Sequence, residues 1–130
     1  MINIKKIKNK FYTDGFVIVK KFLTKSDVTA LLKDKDKITQ KLLLSKKINE
    51  KTRFHITKDG KINTIHNIQK FYKKSFASKL SRKKKFLKIT EEILGGKISV
   101  RNIEYFLKPK KTGMPAPFHQ DNFYWNIEKS

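Results

Sequence analysis

The 130-residue chain predicts an α+β fold within one domain. Three observations carry the expectation: apolar residues at helical spacing in three stretches, a hairpin signal at Asp59-Gly60, and a strand-like run, ISVRNIEYFL, at residues 98–107. No internal repeat or linker divides the chain. Residues 1–52 read as helix, strand and helix, and residues 53–130 as a hairpin, a helix and the strands that lead to a short motif near the C-terminus.

Residues 4–13 predict a short helix, because Ile4, Ile7 and Phe11 share one face. Asp14-Gly15 ends it, glycine being able to take the left-handed conformation just past a helix. Phe16-Val17-Ile18-Val19 is apolar and β-branched and reads as a buried strand. Thr24-Lys25-Ser26-Asp27 has the form of a capping box. It opens a helix to about Leu44, with Val28, Leu31, Leu32, Ile38, Leu42 and Leu43 as a broken apolar stripe. Within it, Lys33-Asp34-Lys35-Asp36-Lys37 reads as a solvated face.

Residues 53–65, starting at Arg53, predict a hairpin with a type I′ turn at Asp59-Gly60. His55 and His66 flank it; a histidine beside a hairpin is ordinarily a surface or packing residue, and neither is assigned a role. A helical turn near Phe71–Leu80 precedes Ser81, which is placed to cap a helix to Leu94, stopped by Gly95-Gly96. Its apolar face comprises Phe86, Leu87, Ile89, Thr90, Ile93 and Leu94. In the run 98–107, Ile98, Val100, Asn102, Glu104 and Phe106 share one face, and Ser99, Arg101, Ile103, Tyr105 and Leu107 the other. Neither face is purely apolar, which suits the lining of a partly polar cavity. Lys108–Gly113 is a turn.

Composition narrows the function classes. With no cysteine, disulfides, thiolate metal sites and cysteine nucleophiles are excluded. No run of 18 or more apolar residues exists, so no transmembrane helix is expected, and the N-terminus lacks the apolar core of a signal peptide. A soluble, cytoplasmic protein is the expectation. The net charge of +21 has two readings. Clustered cations suit nucleic acid or anionic surfaces. Yet among the basic residues only Arg53, Arg82 and Arg101 are arginine, the residue that base-edge readout favours. Lys, Ile, Asn and Phe are abundant together, as AT-rich codons would produce without selection for any partner. Non-specific adhesion to polyanions at low salt follows either way.

The stretch PAPFHQDNFYW, residues 115–125, carries the sharpest chemistry. In an extended chain, side chains two apart point the same way, so His119 and Asp121 can present a nitrogen and a carboxylate oxygen to one ion. That donor pair suits a borderline divalent metal, and two histidines with one carboxylate make the facial triad of non-haem Fe(II) oxygenases. On spacing alone, a hydrogen-bonded loop pair is the simpler reading.

The order of features adds to this. FYTDGFVIVKKFLTKSDVTALL (residues 11–32) resembles the start of the phytanoyl-CoA dioxygenase family of Fe(II)/2-oxoglutarate oxygenases: an Asp-Gly turn, a short apolar strand, and a helix opening after Leu-Thr. EEILGGKISVRNIEYFLKPKKTGMPAPFHQDNFYWN (residues 91–126) resembles the next landmark, where a strand runs through Lys-Pro and a turn into the His-x-Asp iron motif. The resemblance implies a double-stranded β-helix (jelly-roll, cupin-like) with N-terminal helices packed on the sheet. It implies His119 and Asp121 as iron ligands, with Gln120, Lys108 and Tyr105 around the 2-oxoglutarate pocket.

The family's distal His and its 2-oxoglutarate-binding Arg lie well downstream of the motif. Here nine residues follow Asp121, with neither His nor Arg among them. The resemblance therefore implies a partial jelly-roll, the N-terminal half of an Fe(II)/2-oxoglutarate-dependent hydroxylase acting on a small molecule. Such a truncated chain is expected to be inactive alone and to need a separately encoded C-terminal half. The alternative is a small lysine-rich module binding nucleic acid or anionic surfaces non-specifically.

Overall fold

The computed structural model describes residues 3–45 and 54–121. Helix α1 (Ile4–Asp14) starts where the Asn3 side chain accepts from the Lys6 amide, and ends where left-handed Gly15 donates to the Phe11 carbonyl. Helix α2 (Lys25–Ser45) opens on the expected capping box. Asp27 accepts from the Thr24 amide and hydroxyl at 3.1 and 2.8 Å, and the Thr24 hydroxyl oxygen accepts from the Asp27 amide at 3.0 Å. Two donors at the helix start are thereby satisfied reciprocally.

The hairpin is formed by β1 (Phe54–Ile56) and β2 (Ile62–Ile65); Arg53, where it was expected to start, lies outside the described residues. Its turn is longer than the type I′ expectation. The Gly60 amide donates to the Thr57 carbonyl, the Thr57 amide donates to the Lys61 carbonyl, and of the turn residues only Gly60 has a positive φ. A type I′ turn needs two successive left-handed residues; Thr57, whose hydroxyl also bonds Asp59 and Lys61, holds the wider loop instead.

Helix α3 (Ile68–Phe71) and helix α4 (Phe76–Ser81) follow. Ser75 caps α4 by accepting from the Ser78 amide, and both serines are fully buried on each other. Helix α5 (Lys84–Leu94) starts after Lys83, not at Ser81. The Ser81 hydroxyl donates back to the Ser78 carbonyl, so Ser81 closes α4 and does not open α5. Gly95 ends α5 in the left-handed conformation as expected.

The strand anticipated over 98–107 shrinks to β3 (Tyr105–Phe106). Upstream of it the chain is held by a side chain. Gln69 donates to the Arg101 carbonyl at 2.7 Å and accepts from the Ile103 amide at 2.9 Å. The sheet is antiparallel in the order β1-β2-β3, with Ile65 opposite both Phe54 and Tyr105. Its core face carries Ile62 and Ile65, which bury with Ile38 and Leu42 of α2 and Ile68 of α3. Phe54, Ile103, Tyr105 and Leu107 pack at the margin.

A second cluster joins the N-terminal region to α5. The Phe22 and Phe86 rings meet edge to face at 4.6 Å, Lys85 donates to the Phe22 carbonyl, and the Tyr12 hydroxyl donates to the Ile93 carbonyl. Asp27 joins this cluster by pairing with Lys83 at 2.8 Å.

Two further expectations change. Phe16–Val19 is not a buried strand: it joins no sheet among the described residues, and Phe16 and Ile18 are 59% and 73% exposed. Asp34 is not simply solvated. Its carboxylate accepts from the Ala77 amide and the Tyr105 hydroxyl, both at 3.2 Å, tying α2 to α4 and β3. The architecture is thus α+β, helices with a small antiparallel sheet.

Candidate metal centre

The segment that carries His119 and Asp121 is launched from the central strand by one residue. Asn63 is 3% exposed in the middle of β2. Its backbone carbonyl accepts from the Leu107 amide at 2.8 Å, and its side-chain oxygen accepts from the Met114 amide at 2.9 Å. Both ends of the intervening turn are therefore fastened to a single residue. Inside the turn the Gly113 amide donates to the Pro109 carbonyl at 2.7 Å. A Cβ at Gly113 would lie 2.9 Å from that oxygen and 3.0 Å from the Lys108 carbonyl carbon, so the turn closes only around a residue without a side chain. Lys108 and Lys111 sit at φ 40° and 69°, values that side-chain-bearing residues rarely adopt.

Beyond Met114 the chain runs exposed to Asp121, with Phe118 fully in solvent. The His119 Nε2 lies 3.3 Å from the Asp121 carboxylate. Its Nδ1 lies 2.7 Å from the Pro117 carbonyl, which can only accept, so Nδ1 bears a proton. Nε2 is then the ring nitrogen that faces the carboxylate, a donor to it when the ring is charged and a ligand atom beside it when the ring is neutral. Two ligand atoms each about 2.1 Å from one metal at a right angle stand about 3 Å apart, close to this separation. A ring whose other nitrogen is fixed by a carbonyl is also the usual outer support of a ligating histidine. The pair thus fits two positions of an iron site. Among the described residues no group of three His, Cys, Asp or Glu side chains is placed to hold a metal.

The other expected site residues separate. Gln120 is exposed between the pair, and Lys108 is exposed at the start of the strained turn. Tyr105 faces the helices: its hydroxyl donates to Asp34, and burial together with the Asp34 charge pushes its phenol above the ordinary range. It lines a largely apolar cavity of about 480 Å³ with Leu31, Leu80, Phe86, Val100 and Ile103; no residue of 115–121 lines it. His55 and His66 stack edge to face at 5.3 Å, and His66 Nδ1 lies 3.0 Å from Glu104. That cluster is on the sheet face opposite Ile65 and Tyr105, as the strand register requires.

Asn63 and Asp34 carry much of this geometry, although Asp34 sits in a run that reads as a solvated face and Asn63 stands in the hairpin with no role of its own. An asparagine in a β-branched run, Ile62-Asn63-Thr64-Ile65, is out of character for a strand. That mismatch is the signal that could have exposed an anchoring side chain. Lys8, Lys10, Lys35, Lys61 and Lys83 pair with carboxylates spread over α1, α2, the hairpin and α5, and these pairs give no specific support to a nucleic-acid module.

The family model for phytanoyl-CoA dioxygenase (PhyH) matches residues 11–130, and the chain belongs to that family. Comparison with curated proteins and with solved structures gave no match. Family membership supports a dioxygenase-like function and implies iron and 2-oxoglutarate. No helix among the described residues is long and apolar enough to cross a membrane.

Proposed function

We propose that this chain supplies the His119/Asp121 half of an Fe(II)/2-oxoglutarate-dependent hydroxylase of the jelly-roll type, acting on a small molecule. The observation that carries the reading is the 3.3 Å approach of His119 Nε2 to the Asp121 carboxylate, with Nδ1 held by Pro117. The chemistry that iron supplies when bound is hydroxylation of an unactivated C–H bond, coupled to decarboxylation of 2-oxoglutarate to succinate. The chain's own residues orient and support. Pro117 fixes the imidazole tautomer, Asn63 and Gly113 fix the launch point of the segment, and Asp121 brings negative charge to the cation. Lys108 and Gln120 are assigned to the cosubstrate side. Tyr105 enters as a cavity wall and a strap to α2, since its hydroxyl is committed to Asp34.

Two protein ligands leave a metal weakly held and 2-oxoglutarate without a basic clamp. We therefore assign the third ligand and the clamp to a further polypeptide segment, and assign no turnover to a polypeptide of these 130 residues alone. Anaerobic titration with Co(II), read by its visible absorption, tests the first part. A band that is lost in His119→Ala and in Asp121→Ala is expected, and identical spectra for wild type and both variants would refute the pair as ligands. Succinate release with Fe(II), ascorbate and 2-oxoglutarate tests the second. Baseline release is expected, and iron-dependent turnover by the isolated chain would overturn it.

A further inference from the structure

A cleft of about 400 Å³ opens between α2, α3 and the turn that leads into α4. It is lined by Lys41, Lys70, Phe71, Tyr72, Lys73 and Lys74, so lysines predominate and no carboxylate is among them. No residue of 115–121 reaches it, which separates it from the His119/Asp121 pair. Elsewhere Lys8, Lys10, Lys35, Lys61 and Lys83 each meet a carboxylate. The cleft lysines meet none among the described residues. Like charges gathered without counter-charge on a concave surface focus the field there.

The cleft is built on fixed parts. Phe71 and Tyr72 pack against the core cluster that holds Ile38, Leu42 and Ile68, so its floor is anchored. The Tyr72 amide donates to the Ile68 carbonyl at 2.8 Å, and the Tyr72 carbonyl accepts from the amide of fully buried Ser75 at 2.9 Å. Lys73 and Lys74 therefore stand on a two-residue turn fastened at both ends. The Lys41 ammonium, reaching across from α2, lies 5.3 Å from the Tyr72 ring centroid, a cation–π contact that holds it over the same floor.

We propose that this cleft binds the triphosphate group of a small molecule, either a nucleoside triphosphate or the free anion. Each lysine is a compact cation with three N–H donors, which suits phosphoryl oxygens. Four such cations match the roughly four negative charges of an ionised triphosphate. The volume is that of a small-molecule pocket. A nucleic-acid backbone needs cations spaced along a groove that tracks it, whereas these four converge on one cleft.

The probes are tripolyphosphate and, separately, ATP, titrated calorimetrically into the full chain in metal-free buffer at about 0.15 M salt, where loose charge attraction is screened. One saturable site is expected. The double variant Lys73→Gln, Lys74→Gln should weaken it at least about tenfold, through lost charge-assisted hydrogen bonds. The double variant Lys58→Gln, Lys97→Gln removes the same charge from exposed positions outside the cleft and should change affinity less than about twofold. Circular dichroism confirms that both variants fold. Tighter binding of ATP supports the nucleotide as ligand, and equal affinity supports the free anion. Equal weakening by the two double variants would reduce the effect to bulk charge and overturn the proposal. Absence of saturable binding would overturn it as well. So would a thymidine oligomer that binds more tightly than either probe and loses affinity only in the cleft variant, which would give the lysines to nucleic acid.

Discussion

Ile62-Asn63-Thr64-Ile65 and Phe16-Val17-Ile18-Val19 are two four-residue β-prone runs with opposite fates. The first is the less apolar, yet all four residues are buried in the central strand, Thr64 and Ile65 are paired on both sides, and Ile62 and Ile65 pack with Ile38 and Leu42 of α2. The second is wholly apolar, yet it is unpaired among the described residues and exposes two of its four side chains. The difference teaches that a strand is defined by its neighbours. Side-chain preference for a pleated surface is realised only when cross-strand partners exist to supply it.

The largest break in this comparison should come from Ile65→Ala. The side chain is fully buried at the centre of the sheet, and its truncation leaves a cavity between β2 and α2. Urea denaturation should show a loss of about 2–4 kcal/mol. Asn63→Ala comes next. It strands the Met114 amide, costs about 1–3 kcal/mol, and should raise hydrogen exchange at Met114 and loosen the segment that carries His119 and Asp121 while the sheet survives. Unchanged exchange at Met114 would show that the anchor is dispensable.

A third test uses pH. The Lys83 partner and the Thr24 bonds hold the Asp27 carboxyl well below the ordinary carboxylate range. A carboxyl whose pKa is depressed on folding contributes stability above its unfolded value, and that contribution is lost as pH falls through the folded value. Thermal stability should therefore decline below about pH 4, with part of the slope removed in Asp27→Asn. The smallest effect belongs to the exposed run: Ile18→Ala should change stability by less than about 0.5 kcal/mol. A larger loss in the same urea experiment would mean that Phe16–Val19 is already paired.

What the sequence made legible follows the same division. Elements fixed by local chemistry could be read directly: the Gly15 and Gly95 helix ends, the Thr24–Asp27 capping box, and a hairpin around Asp59-Gly60. Elements fixed by distant partners could not. Ser81 has the chemistry of a cap, but its hydroxyl turns back to Ser78 once α4 precedes it. Residues 98–104 have strand character, but Gln69 occupies the backbone groups of Arg101 and Ile103 that a ladder would use. Asp34 lies in a charged run whose solvated appearance gives no hint of Tyr105, 71 positions away. His119 and Asp121 were legible as a pair because they are two residues apart. Their launch from Asn63 was not, because it joins residues 51 positions apart.

The Tyr105 phenol, buried against α2 and bonded to the Asp34 carboxylate, gives the molecule an internal optical gauge. Phenolate absorbs at longer wavelengths than phenol, and burial beside the Asp34 charge holds the Tyr105 phenol protonated above its ordinary range. In an alkaline titration the Tyr105 signal should emerge only as the sheet parts from the helix beneath it. Absorbance alone, without any label, would then report when that layer of the protein opens.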